Sequence, residues 1–194
     1  MVRVQSFESG HRSRRWAPAI ALALAIALVL GAVARAAGGL DPYDHFFETT
    51  FGDFQEELEI TRDENKKALL IFFEMDECPF CHRMKETVLN QPEVQAYYRE
   101  HFRVLSVDVS GDVEVVNFQG ETMRQADFSF RENRVRATPV FQFYDHKGEP
   151  IVRFTGATSG VEEFMWLGEF VAEGHHKDTN FNRYKRERQA QTRQ

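Results

Sequence analysis

An apolar segment that runs directly into the chain's two cysteines is the feature that most restricts the fold of this protein. Residues 69–73 are entirely apolar, which predicts a strand buried on both faces, as at the centre of a sheet covered by helices. Cys78 and Cys81 follow it, separated by Pro79 and Phe80, and the 194-residue chain has no other cysteine. A bridge between cysteines this close in sequence closes too short a loop to constrain much of the unfolded chain. The pair therefore indicates thiol chemistry rather than a structural brace.

The first 36 residues have the pattern of an export signal. A basic segment at 11–15 precedes an apolar run at 19–33, and Ala34 and Ala36 are small residues at the two positions that a signal peptidase recognises. We therefore expect a cleaved signal peptide over residues 1–36 and a periplasmic protein. The alternative is an uncleaved anchor in the inner membrane facing the periplasm, because the apolar run approaches the length that spans a bilayer.

The charge of the mature chain excludes one large class of partners. Removal of residues 1–36 leaves 158 residues with 19 basic and 29 acidic side chains, a net charge of −10. Such a chain has no electrostatic reason to bind nucleic acid, whose phosphates require a basic face. Export also places the cysteines in a compartment that permits disulfides.

The hydrophobic period predicts the order of secondary-structure elements. Helices are expected over residues 43–62, 79–89, from Pro92 to Arg99, over 121–133 and over 161–172; strands are expected over 68–73, 103–109, 140–144 and 151–154, the last two as a hairpin. Residues 110–120 are expected to form a loop or small hairpin. The polar, basic tail over 174–194 lacks periodicity, so we expect it to be mobile or at most a frayed helical extension.

This order of elements resembles the thioredoxin superfamily, with Cys78-Pro79-Phe80-Cys81 as the dithiol motif and Ala137-Thr138-Pro139 matching the loop whose proline is cis in that family. The resemblance covers about residues 68–172. It implies an α/β thioredoxin fold with a central mixed four-stranded sheet flanked by helices. The domain is expected over 68–173, preceded by an N-terminal helical extension over 37–67. The segment 74–81 and the extra residues around 110–120 most resemble periplasmic thioredoxins associated with bacterial sulfur oxidation.

The position of the cysteines predicts their roles. Cys78 lies where a helix cap belongs, and Pro79 takes the first helical position, where its missing N–H costs nothing. The helix amides and dipole then stabilise the Cys78 thiolate, so Cys78 is the expected nucleophile. Cys81, almost one turn later, is the expected resolving thiol and should be the more buried of the two.

Substrate binding is expected beside the dithiol. The backbone at Thr138 and Pro139 can pair with an extended substrate segment as an added strand. Pro79 and Phe80 lie within the motif, where Phe80 either contacts the substrate or covers the dithiol.

The acidic run 74–77 bears on the direction of electron flow. Its negative charge opposes the helix dipole at Cys78, which favours a reductant over an oxidant. Thioredoxins commonly carry a buried aspartate six residues before the first cysteine, but here that residue is Phe72. Glu74 is the nearest acid on the strand. It is either a proton acceptor for Cys81 or only a solvated residue at the strand end.

Two other chemistries use the same residues. The segment 78–82 also has the C-x-x-C-H pattern of c-type haem attachment, in which His82 is an axial ligand and Met84, Met123 or Met165 the opposite one. Against haem, the motif lies between a buried strand and a sheet-forming pattern instead of among helices. A metal scaffold would add His175 and His176 to two thiolates, and two cysteines are short of the usual four ligands.

These observations predict an exported thiol–disulfide oxidoreductase that needs no cofactor and acts as a reductant. The resemblance implies a membrane dithiol-electron carrier as its electron donor. It also implies an exported thiol protein as its client, such as a sulfur-carrier protein or an apocytochrome. If electrons flow in the opposite direction, the alternative is a disulfide-introducing oxidase or isomerase. If the chain belongs to a different class of protein, the alternative is a c-type haem protein. A non-catalytic interaction module is disfavoured by the intact dithiol motif.

Overall fold

The computed structural model of the chain describes residues 39–192. Its strands are β1 Ala68–Glu74, β2 Phe102–Asp108, β3 Glu114–Val116, β4 Thr122–Arg124, β5 Val140–Tyr144 and β6 Pro150–Thr155. Its α-helices are α1 Pro42–His45, α2 Phe54–Asp63, α3 Pro79–Met84, α4 Pro92–His101, α5 Gln125–Asp127, α6 Val161–Ala172 and α7 Phe181–Thr192. Two π-helical segments, Lys85–Leu89 and Phe128–Glu132, continue α3 and α5, and a 3₁₀ turn spans His175–Lys177.

The main sheet has four strands in the order β2-β1-β5-β6. β1 is parallel to β2 and antiparallel to β5, and β5 and β6 form an antiparallel hairpin. All seven residues of β1 are buried, and the apolar pattern predicted this for the six residues 68–73. The predicted fold class, a mixed four-stranded sheet flanked by helices, is confirmed.

The two faces of the sheet have separate cores. Alternate β1 side chains, Leu70 and Phe72 among them, pack against α3, α4 and α6, whereas Leu69 and Ile71 pack on the opposite face beneath α2 and the β3–β4 hairpin. Alternation along a strand produces this division. A Cβ at Gly168 would lie 2.9 Å from the ring of Tyr97 and would push α6 away from α4.

The predicted single helix over residues 43–62 is wrong. The chain forms α1 and α2 with an irregular segment between them, in which the Glu48 N–H donates to the Val104 carbonyl at the open edge of β2. Phe47 belongs to one core and Phe54 to the other, so the chain must cross the sheet edge at this point. Gly52 permits the turn with φ +84°, and the Asp53 carboxylate caps α2.

The predicted helix over 121–133 is also wrong in its first part. A small hairpin extends to β4, and only residues from Gln125 onward are helical. Asn117 holds the hairpin turn, because its Oδ1 accepts hydrogen bonds from the backbone N–H groups of Gln119 and Glu121. Side chains that bond the backbone in this way compete with helix formation. The observed β3–β4 hairpin begins in the segment 110–120, where a loop or small hairpin was predicted, and extends beyond it to Arg124.

The polar tail forms a docked helix instead of a mobile segment. The aromatic rings of Phe181 and Tyr184 contact Phe170 on α6. Lys185 pairs with Glu163 at 2.7 Å, which fixes α7 further. Arg188 pairs with Glu169, also at 2.7 Å. The apolar pattern did not predict this helix, because too few of its residues are apolar to form a stripe.

The predicted export signal over 1–36 lies outside the described residues. Within the part of the chain that the structure describes, no helix has both the length and the apolar character needed to cross a membrane.

Candidate redox site

The two cysteines lie at the beginning of α3. Cys78 is the N-cap residue, in extended conformation, and Pro79 is the first helical residue. The Sγ atoms of Cys78 and Cys81 form a disulfide, with the Cα atoms 5.2 Å apart. The backbone N–H of Cys81 points at the Cys78 sulfur, 3.1 Å away. The helix start therefore directs an amide donor and its positive dipole end at Cys78, as the sequence predicted.

The two sulfurs differ in their surroundings. Cys78 is 5% exposed, whereas Cys81 is 0% exposed, so the prediction that Cys81 is the more buried is confirmed. Cys81 belongs to the same core as Phe72 and Met84. Phe72, which takes the place of the thioredoxin aspartate, is fully buried there and brings no acid to the sulfurs.

The sheet register brings the Thr138–Pro139 loop to the same edge. Phe73 pairs with Val140 across β1 and β5, so the residues after β1 lie opposite those before β5. The Thr138–Pro139 peptide bond is cis, as predicted. Neither the N–H nor the C=O of Thr138 is hydrogen-bonded within residues 39–192. This backbone is therefore able to pair with an additional extended segment.

Glu74 lies at the end of β1 in a closed polar network. Its Oε1 accepts hydrogen bonds from Tyr43 Oη at 3.0 Å and Ser106 Oγ at 2.6 Å, and its Oε2 pairs with Lys85 Nζ at 2.6 Å. Lys85 Nζ also donates to Tyr43 Oη at 2.7 Å. Glu74 is only 6% exposed, so the alternative that it is a solvated strand-end residue is wrong.

The hydrogen bonds of the Glu74 network also determine the protonation states of Lys85 and Tyr43. Burial lowers the pKa of the Lys85 ammonium, but hydrogen bonds to Glu74 and Tyr43 outweigh it, so that the net pKa is raised. Burial raises the pKa of the Tyr43 phenol, and the hydrogen bond from Lys85 offsets only part of that. Lys85 is therefore charged and Tyr43 neutral at physiological pH.

The network lies on the same face of the sheet as the resolving cysteine. Glu74 projects from the same face of β1 as Phe72, two residues earlier, which is the face that α3 covers. Lys85 follows Cys81 by four residues, on the same side of the helix. An ion pair thus lies on the face of the sheet that holds the buried sulfur.

Sequence analysis did not identify Tyr43, Lys85 or Ser106 as site residues. The four-residue spacing from Cys81 could have identified Lys85. No local pattern marks Tyr43 or Ser106, because both reach Glu74 only through tertiary packing.

The residues proposed for haem do not fit it. The two sulfurs that would form thioethers are bonded to each other, and His82 Nε2 lies 2.6 Å from the Asp76 carbonyl oxygen. Met84, the last residue of α3, is fully buried, and its sulfur accepts a hydrogen bond from Thr158. For the metal alternative, no group of three or more His, Cys, Asp and Glu residues within 39–192 is arranged to hold an ion. His175 instead pairs with Glu173.

Comparison with known proteins places this site in a family. The model of the family described as "Thioredoxin-like domain" matches residues 54–172. No curated protein sequence matches the chain. Among solved structures, a thioredoxin-fold protein from Helicobacter pylori is 25% identical with a TM-score of 0.52, and the match covers 65% of this chain and 82% of that one.

Two further structures are similar at lower scores. One is a DsbH oxidoreductase, 18% identical with a TM-score of 0.49, matched over 66% of this chain and 88% of that one. The other is a thioredoxin from Thermus thermophilus, 24% identical with a TM-score of 0.47, matched over 66% of this chain and 95% of that one. With Cys78 and Cys81 bonded at a helix start, the chain belongs to the thioredoxin-like domain family and is a thiol–disulfide oxidoreductase of that family.

Proposed function

We propose that this protein is an exported reductant of client-protein disulfides, in which Cys78 attacks and Cys81 resolves. The observation that carries the proposal is the disulfide at the start of α3, whose more accessible sulfur accepts from an amide donor. The unpaired Thr138 backbone lies at the same edge of the sheet. Thr138 and Pro139 hold the client as an added strand, and Pro79 and Phe80 border it from the helix side.

The exchange transfers two electrons to the client. In the reduced protein, the Cys78 thiolate attacks one sulfur of a client disulfide, which forms a mixed disulfide and releases the other client sulfur as a thiolate. Cys81 then loses its proton and attacks Cys78. The mixed disulfide breaks, the second client thiolate leaves, and the Cys78–Cys81 disulfide forms. An external dithiol restores the reduced state by the reverse sequence.

Glu74 is the proposed acid–base group for the second step. Burial makes the proton of the Cys81 thiol hard to lose, because a thiolate is poorly solvated there. The Glu74 carboxylate can accept that proton while Lys85 remains bonded to it. Glu74→Gln therefore slows resolution of the mixed disulfide and changes its pH profile, while the attack by Cys78 keeps its rate. An unchanged pH profile for resolution removes Glu74 from the mechanism.

The proposed direction rests on the charges near Cys78. Lys85 neutralises Glu74, so Asp76 and Glu77 remain as the exposed acids of the run. Their negative charge disfavours the Cys78 thiolate, which makes the disulfide form a weaker oxidant. The export signal predicted over 1–36 supports a periplasmic location, where a membrane dithiol carrier is the proposed electron donor and an exported thiol protein the client. The resemblance to sulfur-oxidation thioredoxins supports a sulfur-carrier protein or an apocytochrome as that client.

Trapping the client tests the division of roles between the cysteines. Cys81→Ser in the producing cell should accumulate a mixed disulfide on Cys78 that dithiothreitol releases. The matched variant Cys78→Ser should trap much less, because the remaining thiol is buried. Equal trapping by both variants, or none by Cys81→Ser, contradicts the proposed mechanism.

Equilibration with glutathione buffers tests the direction. A reduction potential near that of thioredoxin, about −270 mV, agrees with a reductant. A potential near that of strongly oxidising periplasmic enzymes, about −120 mV, supports a disulfide-introducing oxidase instead.

A further inference from the structure

A groove opens beside the Thr138 loop, on the face opposite the Glu74 network. It has a volume of about 280 Å³, and its lining includes Met75, Ser129, Phe130, Arg136 and Thr138. Its walls are mostly apolar, and Met75 belongs to the turn that leads into Cys78. A client segment that pairs with Thr138 therefore places over this groove the side chains that neighbour its reactive cysteine.

Arg136 is the charged residue at the rim of this groove. Its guanidinium carbon lies 3.5 Å from the centroid of the Phe130 ring, and Nη1 donates to the Phe130 carbonyl at 3.1 Å. Phe130 is 54% exposed, so the ring supports the arginine without covering it. A guanidinium held flat in this way loses little conformational freedom when it binds a carboxylate.

Arg136 has no acidic partner among the described residues, in contrast to two other arginines near the groove. Arg131 pairs with Asp127, and Arg124 pairs with Asp112 and Asp127. Arg136 forms no ion pair within residues 39–192, although acidic residues outnumber basic ones in this chain. Its free donors are therefore available to a ligand.

The floor of the groove contains a second unpartnered polar group. Ser129 is 1% exposed, and its Oγ has no hydrogen-bond partner in the described part of the chain. A buried hydroxyl without a partner costs free energy, and a backbone seated in the groove can supply the missing bond. This observation is independent of Arg136 and also indicates a ligand.

We propose that this groove binds a client segment with a carboxylate side chain close to its reactive cysteine, and that Arg136 selects that carboxylate. The inference rests on the proposed thiol exchange at Cys78. Asp76 and Glu77, on the turn before α3, are negatively charged and exposed, so they repel an acidic client side chain that lies next to this turn. The client carboxylate must therefore lie towards Phe130, which fixes the orientation of the segment.

Model peptides of known charge provide the test. Each is a seven-residue peptide with a central cysteine activated as a 2-pyridyl disulfide, and it carries Glu, Gln or Lys two residues before or after the cysteine. The reduced full chain with Cys81→Ser attacks the peptide sulfur through Cys78. A mixed disulfide forms, and pyridine-2-thione leaves and is measured by its absorbance. The reagent 2,2′-dithiodipyridine, which has no peptide, reports the intrinsic reactivity of Cys78.

The Glu peptide should react about three- to fivefold faster than the Gln peptide in one of the two positions, as expected for a partly exposed ion pair. Addition of Arg136→Gln should bring this ratio to about one. Each peptide rate is divided by the rate of the same variant with 2,2′-dithiodipyridine, which removes any change in the reactivity of Cys78 itself. Arg134→Gln, which removes an exposed arginine from the same loop, should keep the ratio. The ratio should also decrease at about 0.5 M salt.

Three results overturn the inference. These are a Glu to Gln ratio of about one, a ratio that Arg136→Gln does not change, and a Lys peptide that reacts fastest. A chain that reacts with none of the reagents contradicts the proposed exchange itself, so the two failures are distinguishable.

Discussion

The two sides of the disulfide differ in how their polar groups are used. On the Glu74 side, both carboxylate oxygens are bonded, and Tyr43 and Lys85 bond each other as well as the acid. On the groove side, the Thr138 backbone and the Arg136 guanidinium have no acidic or strand partner within residues 39–192. The polar groups of the first side, called here the closed side, bond one another, whereas those of the second side, called the open side, are available for binding.

The two sides also come from different parts of the chain. The groove is built from residues within 54–172, the region that the thioredoxin-like domain matches. The Glu74 network needs Tyr43, which precedes that region. The segment that precedes the matched region therefore contributes one member, the Tyr43 hydroxyl, to the polar network on this side.

The largest expected effect comes from removing the ion-pair partner of Glu74 on the closed side. Lys85→Met leaves the Glu74 carboxylate buried without its counter-ion, which should reduce the free energy of unfolding by about 3 kcal/mol. Urea unfolding of the disulfide form measures it. Arg136→Gln also removes one positive charge, but from the exposed side, and should change stability by less than about 0.5 kcal/mol.

A double variant shows whether the loss is due to the unpaired charge. Glu74→Gln combined with Lys85→Met should recover at least half of the stability lost in the single variant, because no buried charge remains. If both single variants, at Lys85 and at Arg136, cost the same, the distinction between a closed and an open side is wrong.

A smaller effect is expected from the hydroxyl of Tyr43. Tyr43→Phe removes the hydrogen bond to Glu74 and the one accepted from Lys85, and should cost about 1 kcal/mol at pH 7 because the site is partly exposed. Tyr97 is a matched control because its hydroxyl makes no hydrogen bond within residues 39–192, although burial raises its pKa to about 12. Tyr97→Phe should therefore change stability at pH 7 by less than about 0.5 kcal/mol.

The pH dependence of the Tyr43 contribution has a definite sign. The folded chain raises the pKa of both Tyr43 and Lys85, so it holds these protons more tightly than the unfolded chain. Their contribution is therefore fully present below about pH 10 and is lost as the pH increases through the folded values. The difference in unfolding free energy between the native chain and Tyr43→Phe should decrease from pH 7 to about pH 11. A constant difference would show that Tyr43 is not part of a titrating network.

The sequence predicted those parts of the fold that depend on local patterns. The apolar run of β1, the proline at the start of α3 and the β5–β6 hairpin each have a short-range signal, and all three are present. The burial order of Cys78 and Cys81 followed from their helix positions. The cis bond before Pro139 followed from the family resemblance.

The parts of the fold and of the site that were not predicted depend on tertiary contacts, which a local sequence pattern does not contain. The spacing of Phe47, Phe51, Phe54 and Leu58 is helical, yet Phe47 and Phe54 lie on opposite faces of the sheet and Phe51 is 96% exposed. Glu74 had two interpretations because its partners Tyr43 and Ser106 lie 31 and 32 residues away. Arg136 was visible in the sequence, but its lack of an ion pair was not.

The smallest expected effect concerns the ring under Arg136. Phe130→Leu should leave stability within about 0.5 kcal/mol of the native value, because more than half of the ring is already exposed. In this variant Arg136 keeps its charge but loses the aromatic ring that holds its guanidinium flat; in the native chain the ring centroid lies 3.5 Å from the guanidinium carbon. The ratio of the Glu to the Gln peptide rate should therefore fall to about two, between the native value and that of Arg136→Gln.

Phe51→Leu is the matched control for this variant, since Phe51 is an exposed phenylalanine outside the groove. It should leave the ratio at its native value. If Phe130→Leu also leaves it there, Arg136 attracts the client by charge alone, and the open side is not preorganised. The contrast with the Glu74 side would then reduce to the presence or absence of ion pairs, because neither the orientation of Arg136 nor its support by Phe130 would contribute to client selection.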